Sequence, residues 1–290
     1  MEWLEHHADD FRVPQEEESL ASRVKPLVEL MTLLTTLANH DVRDEKISKL
    51  VHQALQYGAE FDWHELAAYD ASAATVVAVV ADFFAKNHKT PPFDFEFIHF
   101  LHEIGFFEGM DRVPFREMDM SCSLGMMFAP EFRKDLPVWF LSTTFGQQQH
   151  LTRYSVDDIY AVTHSAFYLT NFGRDRLSEL LDQETSERLR KELVALTVMV
   201  LRTDNIDVLG ELLMCWLFCR VDNTALHRMI FHQAMERLLS ATTTQGAVFP
   251  TLKLLQNTPA REAKFDEVYH TTLVCSMFFN MVAKDMPYVH

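Results

Sequence analysis

The segment from Ser155 to Gly173 restricts the fold of this chain more than any other stretch. Ser155 is followed three residues later by Asp158, the spacing of a capping box that begins a helix. Gly173 is a residue type that commonly ends a helix in the left-handed conformation. No Lys, Arg, Asp or Glu follows Asp158 within the segment. Because surface helices normally present charged side chains to water, the pattern predicts a helix that is buried on both sides.

The two sides of this predicted helix differ in chemistry. At about 100° per residue, one side carries rings, an imidazole, an amide and a carboxylate. Its members are Asp157, Tyr160, His164, Phe167, Tyr168 and Asn171. The opposite side is aliphatic, with Ile159, Val162, Ala166 and Leu169. We interpret the polar side as one wall of an enclosed cavity that binds or transforms a ligand.

Glycine usage favours helices in the rest of the chain as well. Only 8 of the 290 residues are glycine, whereas β-sandwiches and α/β folds use many glycines in turns and phosphate loops. Helical patterns follow one another with short connections, and no stretch alternates long enough to predict a strand. We therefore predict an all-α fold, specifically an α/α toroid, a barrel of helical hairpins around a central cavity. An irregular helical bundle is the alternative.

The domain organisation is predicted to be simple. Residues 1–18 are acidic and form an arm or a cap, and residues 19–290 form a single helical domain without a long linker. The four cysteines include no CxxC pair, which predicts free thiols in a reducing compartment. The chain shows neither a signal-peptide pattern nor an apolar run long enough to cross a bilayer. These features predict a soluble, cytoplasmic protein.

The charge balance restricts the partners. The chain has 42 acidic and 26 basic residues, a net charge of −16, which repels nucleic-acid phosphates and anionic membranes. We therefore expect a small-molecule substrate, no nucleic acid and no membrane, and we leave open whether the chain forms a homodimer. G-x-S-x-G, P-loop and G-x-G-x-x-G motifs are absent, and no cofactor is predicted.

Three titratable residues are the predicted catalytic groups. His164 lies one helical turn from both Tyr160 and Tyr168, so a neighbouring group could fix its tautomer. Asp207 and Glu211 are four residues apart in an otherwise apolar segment, where a carboxylate suits general acid or base catalysis. The alternatives are an ordinary core histidine and a buried glutamate paired with an arginine.

Other residues are predicted to complete the cavity lining. The substrate-binding candidates are Tyr160, Phe167, Tyr168, Asn171, Met214, Phe218, Tyr269 and Thr272. His270 is a weaker candidate, because Asp266 and Glu267 beside it indicate a solvated first turn. Arg112 and Arg116 could anchor a substrate carboxylate, although ordinary surface ion pairs are the more common role of such residues.

A metal site is an open alternative. His164 with Asp207 and Glu211 has the composition of a site with two carboxylates and one histidine, but only the fold could bring them together. The sequence contains no H-E-x-x-H or H-x-x-E-H motif. The leading hypothesis therefore includes no metal.

Three stretches resemble recurring blocks of one protein family. They are Y-A-V-T-H-S-A-F-Y-L-T-N-F-G (Tyr160 to Gly173), L-G-E-L-L (Leu209 to Leu213) and Y-H-T-T-L-V (Tyr269 to Val274). The family they resemble consists of helical bacterial proteins of unknown function, often from natural-product gene clusters. Its members more often carry Asp at the position of Asn171. The resemblance implies a role in small-molecule biosynthesis.

The leading hypothesis is a cofactor-independent enzyme of bacterial specialised metabolism. It would promote condensation, cyclisation or rearrangement of an aromatic or amine-bearing small molecule by general acid/base catalysis. Glu211 or Asp207 would move the proton with His164 as partner, and two tyrosines, Tyr160 and Tyr168, would orient the substrate or stabilise a developing cation. A metal-dependent lyase or hydrolase and a non-catalytic small-molecule or protein-binding protein are the alternatives.

Overall fold

The computed structural model describes residues 1–14, 20–258 and 263–285, and in these ranges the regular secondary structure is helical. These ranges also contain one isolated β-bridge, between Thr242 and Val248. The α-helices are α1 (Glu2–His6), α2 (Leu20–Asn39), α3 (Glu45–Glu60), α4 (Trp63–Tyr69), α5 (Ala73–Lys86), α6 (Phe95–Glu103), α7 (Pro114–Met127), α8 (Leu136–Ser142), α9 (Val156–Leu169), α10 (Gln183–Val200), α11 (Ile206–Phe218), α12 (Ala225–Ser240), α13 (Leu252–Asn257) and α14 (Phe265–Asp285). The prediction of an all-α fold is confirmed.

Six of these helices form a closed cycle of contacts. Helix α2 contacts α5, α5 contacts α7, α7 contacts α9, α9 contacts α11, α11 contacts α14, and α14 returns to α2. Among the others, α3 packs on α2, α4 on α5, α8 on α7 and α9, and both α10 and α12 on α11. The α/α toroid is a more specific arrangement of inner and outer helices than this cycle, and it remains a prediction.

Helix α11 is the most deeply buried member of the cycle. Every residue from Ile206 to Phe218 except Leu217 is buried, because α9, α10, α12 and α14 all pack against it. A fully surrounded helix gains stability from almost every apolar side chain that it carries. The same surroundings bring its two acidic residues, Asp207 and Glu211, into the protein interior.

The N-terminal residues pack on the main body. Trp3, Leu4 and Phe11 are buried, and the rings of Trp3 and Phe11 lie 6.0 and 4.9 Å from the ring of Phe265 on α14. Residues 1–14 therefore contribute to the core, and the predicted boundary between residues 18 and 19 lies outside the described residues. All four cysteines are buried free thiols. None of the helices in the described ranges is long and apolar enough to cross a membrane.

Candidate functional site

A cavity of about 380 Å³ lies inside the cycle of six helices, and each of the six contributes to its lining. The apolar part of the wall includes Val28 from α2, Val79 from α5, and Leu273, Val274 and Met277 from α14. The titratable part is formed by Lys25, Glu29, Arg116, Asp119, Cys122, His164, Tyr168, Glu211 and His270. A cavity of this size, mostly apolar with a few polar groups, is typical of small-molecule sites.

Helix α9 places His164 in this wall. The helix begins with the predicted capping box, in which the Ser155 hydroxyl accepts from the Asp158 N–H and the Asp158 carboxylate accepts from the Ser155 N–H. One turn before His164, the carbonyl of Tyr160 lies 2.8 Å from His164 Nδ1. Because a carbonyl can only accept, Nδ1 carries the hydrogen and Nε2 of the neutral ring is the acceptor.

The C-terminal end of α9 differs from the prediction. The helix ends at Leu169, before Gly173, and the Phe172 N–H donates to the Phe167 carbonyl in the turn that closes it. Asn171 and Phe172 both have positive φ, and Asn is a residue type that tolerates this conformation. Gly173 has φ +82°, and a Cβ atom there would lie 2.4 Å from the Phe218 ring. The turn therefore spans several residues, and glycine is required at its end.

Glu211 reaches the cavity from α11, with only 2% of its surface exposed. The Thr163 hydroxyl donates to Glu211 Oε2 at 2.5 Å, and the other carboxylate oxygen, Oε1, lies 3.5 Å from His270 Nε2. His164 Nδ1 is 3.9 Å from Glu211 Oε2 and is directed instead to its own helix carbonyl. His164 and Glu211 thus line the same cavity without a direct hydrogen bond between them.

Asp207 lies one turn earlier on α11 and is held by two hydroxyl groups. Tyr160 donates to its Oδ2 at 2.5 Å, and Thr271 donates to its Oδ1 at 2.6 Å. Burial and the charge of Asp207 raise the pKa of Tyr160 above its ordinary value, so this phenol remains a donor at neutral pH. Asp207 Oδ2 is also 3.5 Å from His270 Nε2.

His270 on α14 joins these carboxylates to Glu29 on α2. Its Nδ1 lies 3.0 Å from Glu29 Oε2, and its Nε2 is directed at Asp207 and Glu211. Burial disfavours the charged ring, but the nearby carboxylates of Glu211, Glu29 and Asp207 outweigh it and hold the pKa of His270 well above its ordinary value. These carboxylates therefore favour the protonated form of the ring.

We name Glu29, Asp207, Glu211 and His270 the acidic cluster. Within the described residues, the basic side chains within 4.0 Å of Asp207 or Glu211 are the imidazoles of His164 and His270, and none is Lys or Arg. Lys25 lies 3.7 Å from Glu29, on the cavity side. Three carboxylates thus face one imidazolium and one exposed ammonium, and buried carboxylates favour a further cation.

The wall formed by α7 and α9 has its own acidic group. Asp119 on α7 has a side chain that is 15% exposed and lies 3.4 Å from Arg116. Burial raises the pKa of the Asp119 carboxyl, although the charge of Arg116 opposes this. Burial and the charge of Asp119 raise the pKa of Tyr168 well above its ordinary value. His164 lies beside this pair, with its ring centre 6.2 Å from that of Tyr168.

The structure brings together only part of the predicted site. His164, Phe167, Tyr168 and Glu211 line the cavity. Tyr160 and Asp207 are hydrogen bonded to each other outside the cavity lining. Asn171 lines a smaller pocket of about 30 Å³. Four further candidates are buried outside the cavity lining, namely Met214, Phe218, Tyr269 and Thr272. The Thr272 hydroxyl accepts the Val248 N–H at 2.9 Å, which is a structural contact.

Three titratable residues of the cavity lining, Glu29, Asp119 and His270, were not among the predicted site residues. Glu29 and Asp119 received no role, and His270 was discounted because of the two acidic residues before it. A signal was present, since His270, Leu273, Val274 and Met277 have the helical spacing of one face, and all four line the cavity. The potential metal ligands also differ from the predicted set, because His270 takes the place assigned to His164.

Fold and site together define an all-α protein with a central cavity whose lining combines apolar side chains with carboxylates and imidazoles. The chain belongs to the family described as domain of unknown function DUF6895, whose model matches residues 1–279. A family of unknown function is what the sequence resemblance indicated. Comparisons with curated proteins and with solved structures gave no significant match.

Proposed function

We propose that this protein is an enzyme that transfers a proton to or from a small molecule bound in the central cavity. His164 is the catalytic residue, and the acidic cluster beside it stabilises positive charge. One observation carries the proposal: the imidazole of His164 on α9 and the carboxylate of Glu211 on α11 line the same cavity. In the described chain, Glu211 has no Lys or Arg within 4.0 Å. In a site of low polarity, such groups interact strongly with charge that develops on a bound ligand.

The geometry supports a defined role for His164. Its Nδ1–H is engaged by the Tyr160 carbonyl, so the Nε2 lone pair can accept a proton from a substrate. The contacts of the ring with Phe167 and Tyr168 restrict its rotation, with centroid distances of 5.8 and 6.2 Å. A base with a fixed tautomer and a fixed orientation loses little entropy when the substrate binds.

The lining supports a substrate with an apolar body and a positive or developing positive charge. Val28, Val79, Leu273, Val274 and Met277 provide contact surface for a hydrocarbon or an aromatic ring. The excess of carboxylates in the acidic cluster favours an amine or a cationic intermediate next to Glu211. Together with the motif resemblance, these features support condensation, cyclisation or rearrangement in bacterial specialised metabolism as the reaction class.

Activity can be sought without knowing the substrate. Wild-type protein and the variant His164→Asn are incubated with a bacterial metabolite extract, and consumed and formed masses are compared by liquid chromatography and mass spectrometry. We expect masses that change with the wild-type protein and not with His164→Asn. Glu192→Gln, a change at a partly buried glutamate outside the cavity lining, is the matched control and should behave as wild type.

Two results would overturn the proposal. Unchanged turnover by folded His164→Asn would remove the proton-transfer role of this residue. Retention of a small molecule without any change in mass would indicate the non-catalytic binding protein instead. A metal-dependent lyase or hydrolase is the second candidate, favoured by the arrangement of ligand atoms around His270.

A further inference from the structure

We propose that Asp207, Glu211 and His270 bind one divalent transition-metal ion, a property that goes beyond the proton transfer assigned to His164. The ligand atoms are Asp207 Oδ2, Glu211 Oε1 and His270 Nε2. Among the described residues, these three side chains offer ligand atoms that all lie within 4.8 Å of one another. They come from two adjacent helices, α11 and α14, whose packing fixes their relative positions.

The distances suit a shared ion better than direct hydrogen bonds. His270 Nε2 lies 3.5 Å from each of the two carboxylate oxygens, beyond the usual length of a hydrogen bond between these atoms. Ligands bound at about 2.1 Å in tetrahedral geometry lie about 3.4 Å apart. The nitrogen is therefore already separated from each of the two oxygens by the distance expected between ligands of one centre.

The groups behind the ligands hold them in the orientation that a metal requires. Glu29 accepts from His270 Nδ1 at 3.0 Å, the carboxylate–histidine arrangement that fixes metal-binding imidazoles. Thr163 donates to the Glu211 oxygen that is not a proposed ligand, and Thr271 does the same at Asp207. Tyr160 donates to Asp207 Oδ2, which keeps a second lone pair for an ion.

Charge and access point to the same position. Asp207 and Glu211 are 9% and 3% exposed at their side chains and have no Lys or Arg within 4.0 Å in the described ranges. Glu211 and His270 both line the central cavity, so the remaining coordination positions face a bound substrate. A nitrogen and two carboxylate oxygens suit Zn²⁺, Mn²⁺, Fe²⁺ or Co²⁺, whereas Ca²⁺ and Mg²⁺ prefer oxygen ligands alone.

The test measures binding directly, without a substrate. Untagged protein is freed of metal with a chelator and titrated with Zn²⁺ by calorimetry, and with Co²⁺ by visible absorption, which reports its coordination. We expect one tight site, lost in Asp207→Asn, Glu211→Gln and His270→Gln. Glu29→Gln should weaken binding by about 10- to 100-fold, because it removes only the orienting carboxylate.

Two matched controls separate this site from adventitious binding. Asp119→Asn changes a partly buried carboxyl in the same cavity, and Glu192→Gln changes one outside it, so both should bind Zn²⁺ as the wild type does. The absence of a stoichiometric site, or one that survives Asp207→Asn and Glu29→Gln unchanged, would overturn the proposal. These two variants keep it testable if His270→Gln does not fold.

Failure of the metal site and failure of the proposed function give different results. A protein that binds no metal but loses turnover in His164→Asn retains the proton-transfer function in a cofactor-independent form. A protein that binds metal while His164→Asn retains full turnover keeps the metal site and loses the role of His164.

Discussion

Two glutamates on neighbouring helices show how a structural carboxylate differs from a functional one. Glu192 on α10 and Glu211 on α11 both accept a hydrogen bond from a hydroxyl group, from Tyr154 and Thr163 respectively. Glu192 also accepts from Arg188, four residues earlier on its own helix, at 3.1 Å. Glu211 has two imidazoles, those of His164 and His270, but no Lys or Arg within 4.0 Å in the described residues.

The difference follows from the positions of the two residues. The guanidinium of Arg188 stays charged at every physiological pH, so the charge of Glu192 is neutralised without a ligand. Glu192 is absent from the cavity lining, whereas Glu211 is part of it. A buried carboxylate with a permanent partner stabilises local packing, whereas one that depends on an imidazole at a cavity can respond to a cation or a substrate.

The largest expected effect comes from removing the cationic partner of each glutamate. In metal-free protein, His270→Gln leaves the carboxylates of Asp207 and Glu211 buried without a cation and should lower the free energy of unfolding by about 3–5 kcal/mol. Arg188→Gln should cost about 1 kcal/mol, because Glu192 keeps the Tyr154 hydroxyl. Urea unfolding at pH 7 with a chelator measures both. Equal losses would show that the two glutamates do not differ in this way.

Part of this organisation could be predicted from the sequence because it is local. The capping box of α9 and the helical fold depend on neighbours within one or two turns, and both are present in the structure. The role of His270 is not local, because its partner Glu29 is 241 positions away in the chain. Spacing along α14 can identify the face that bears His270, but it cannot show that this face contacts α2 and α11.

The errors in the predicted lining have a similar cause. Met214 and Phe218 share a face with Glu211 by helical spacing, and a half-exposed helix would direct all three to one cavity. Helix α11 is surrounded by packed helices, so only Glu211 reaches the cavity, while Met214 and Phe218 are buried in the core. When every side of a helix is buried, residues on the same helical face need not line the same cavity.

An intermediate effect is expected when the hydroxyl donors are removed. Thr163→Val preserves shape and deprives Glu211 of its 2.5 Å hydrogen bond, which should destabilise the metal-free protein by about 1–3 kcal/mol. Tyr154→Phe should cost about 1 kcal/mol, because Arg188 still contacts Glu192. Thr163→Val should also weaken Zn²⁺ binding, while Tyr154→Phe should not. The reverse order of the two stability losses would contradict the contrast between the glutamates.

The smallest effect concerns the pH dependence of stability at Glu192. Burial raises the pKa of this carboxyl, although the hydrogen bond from Tyr154 and the charge of Arg188 oppose the increase. Because the folded-state pKa lies above the unfolded one, the stabilising contribution is complete below about pH 4 and is lost as the pH rises through the folded pKa. Glu192→Gln does not titrate, so its melting temperature relative to wild type should increase as the pH rises from about 4 to 7. Thermal unfolding of both proteins across this range, with a chelator present, measures the difference. A constant or decreasing difference would mean that the Arg188 ion pair, not burial, controls the ionisation of Glu192, and the two glutamates would then differ even more than proposed.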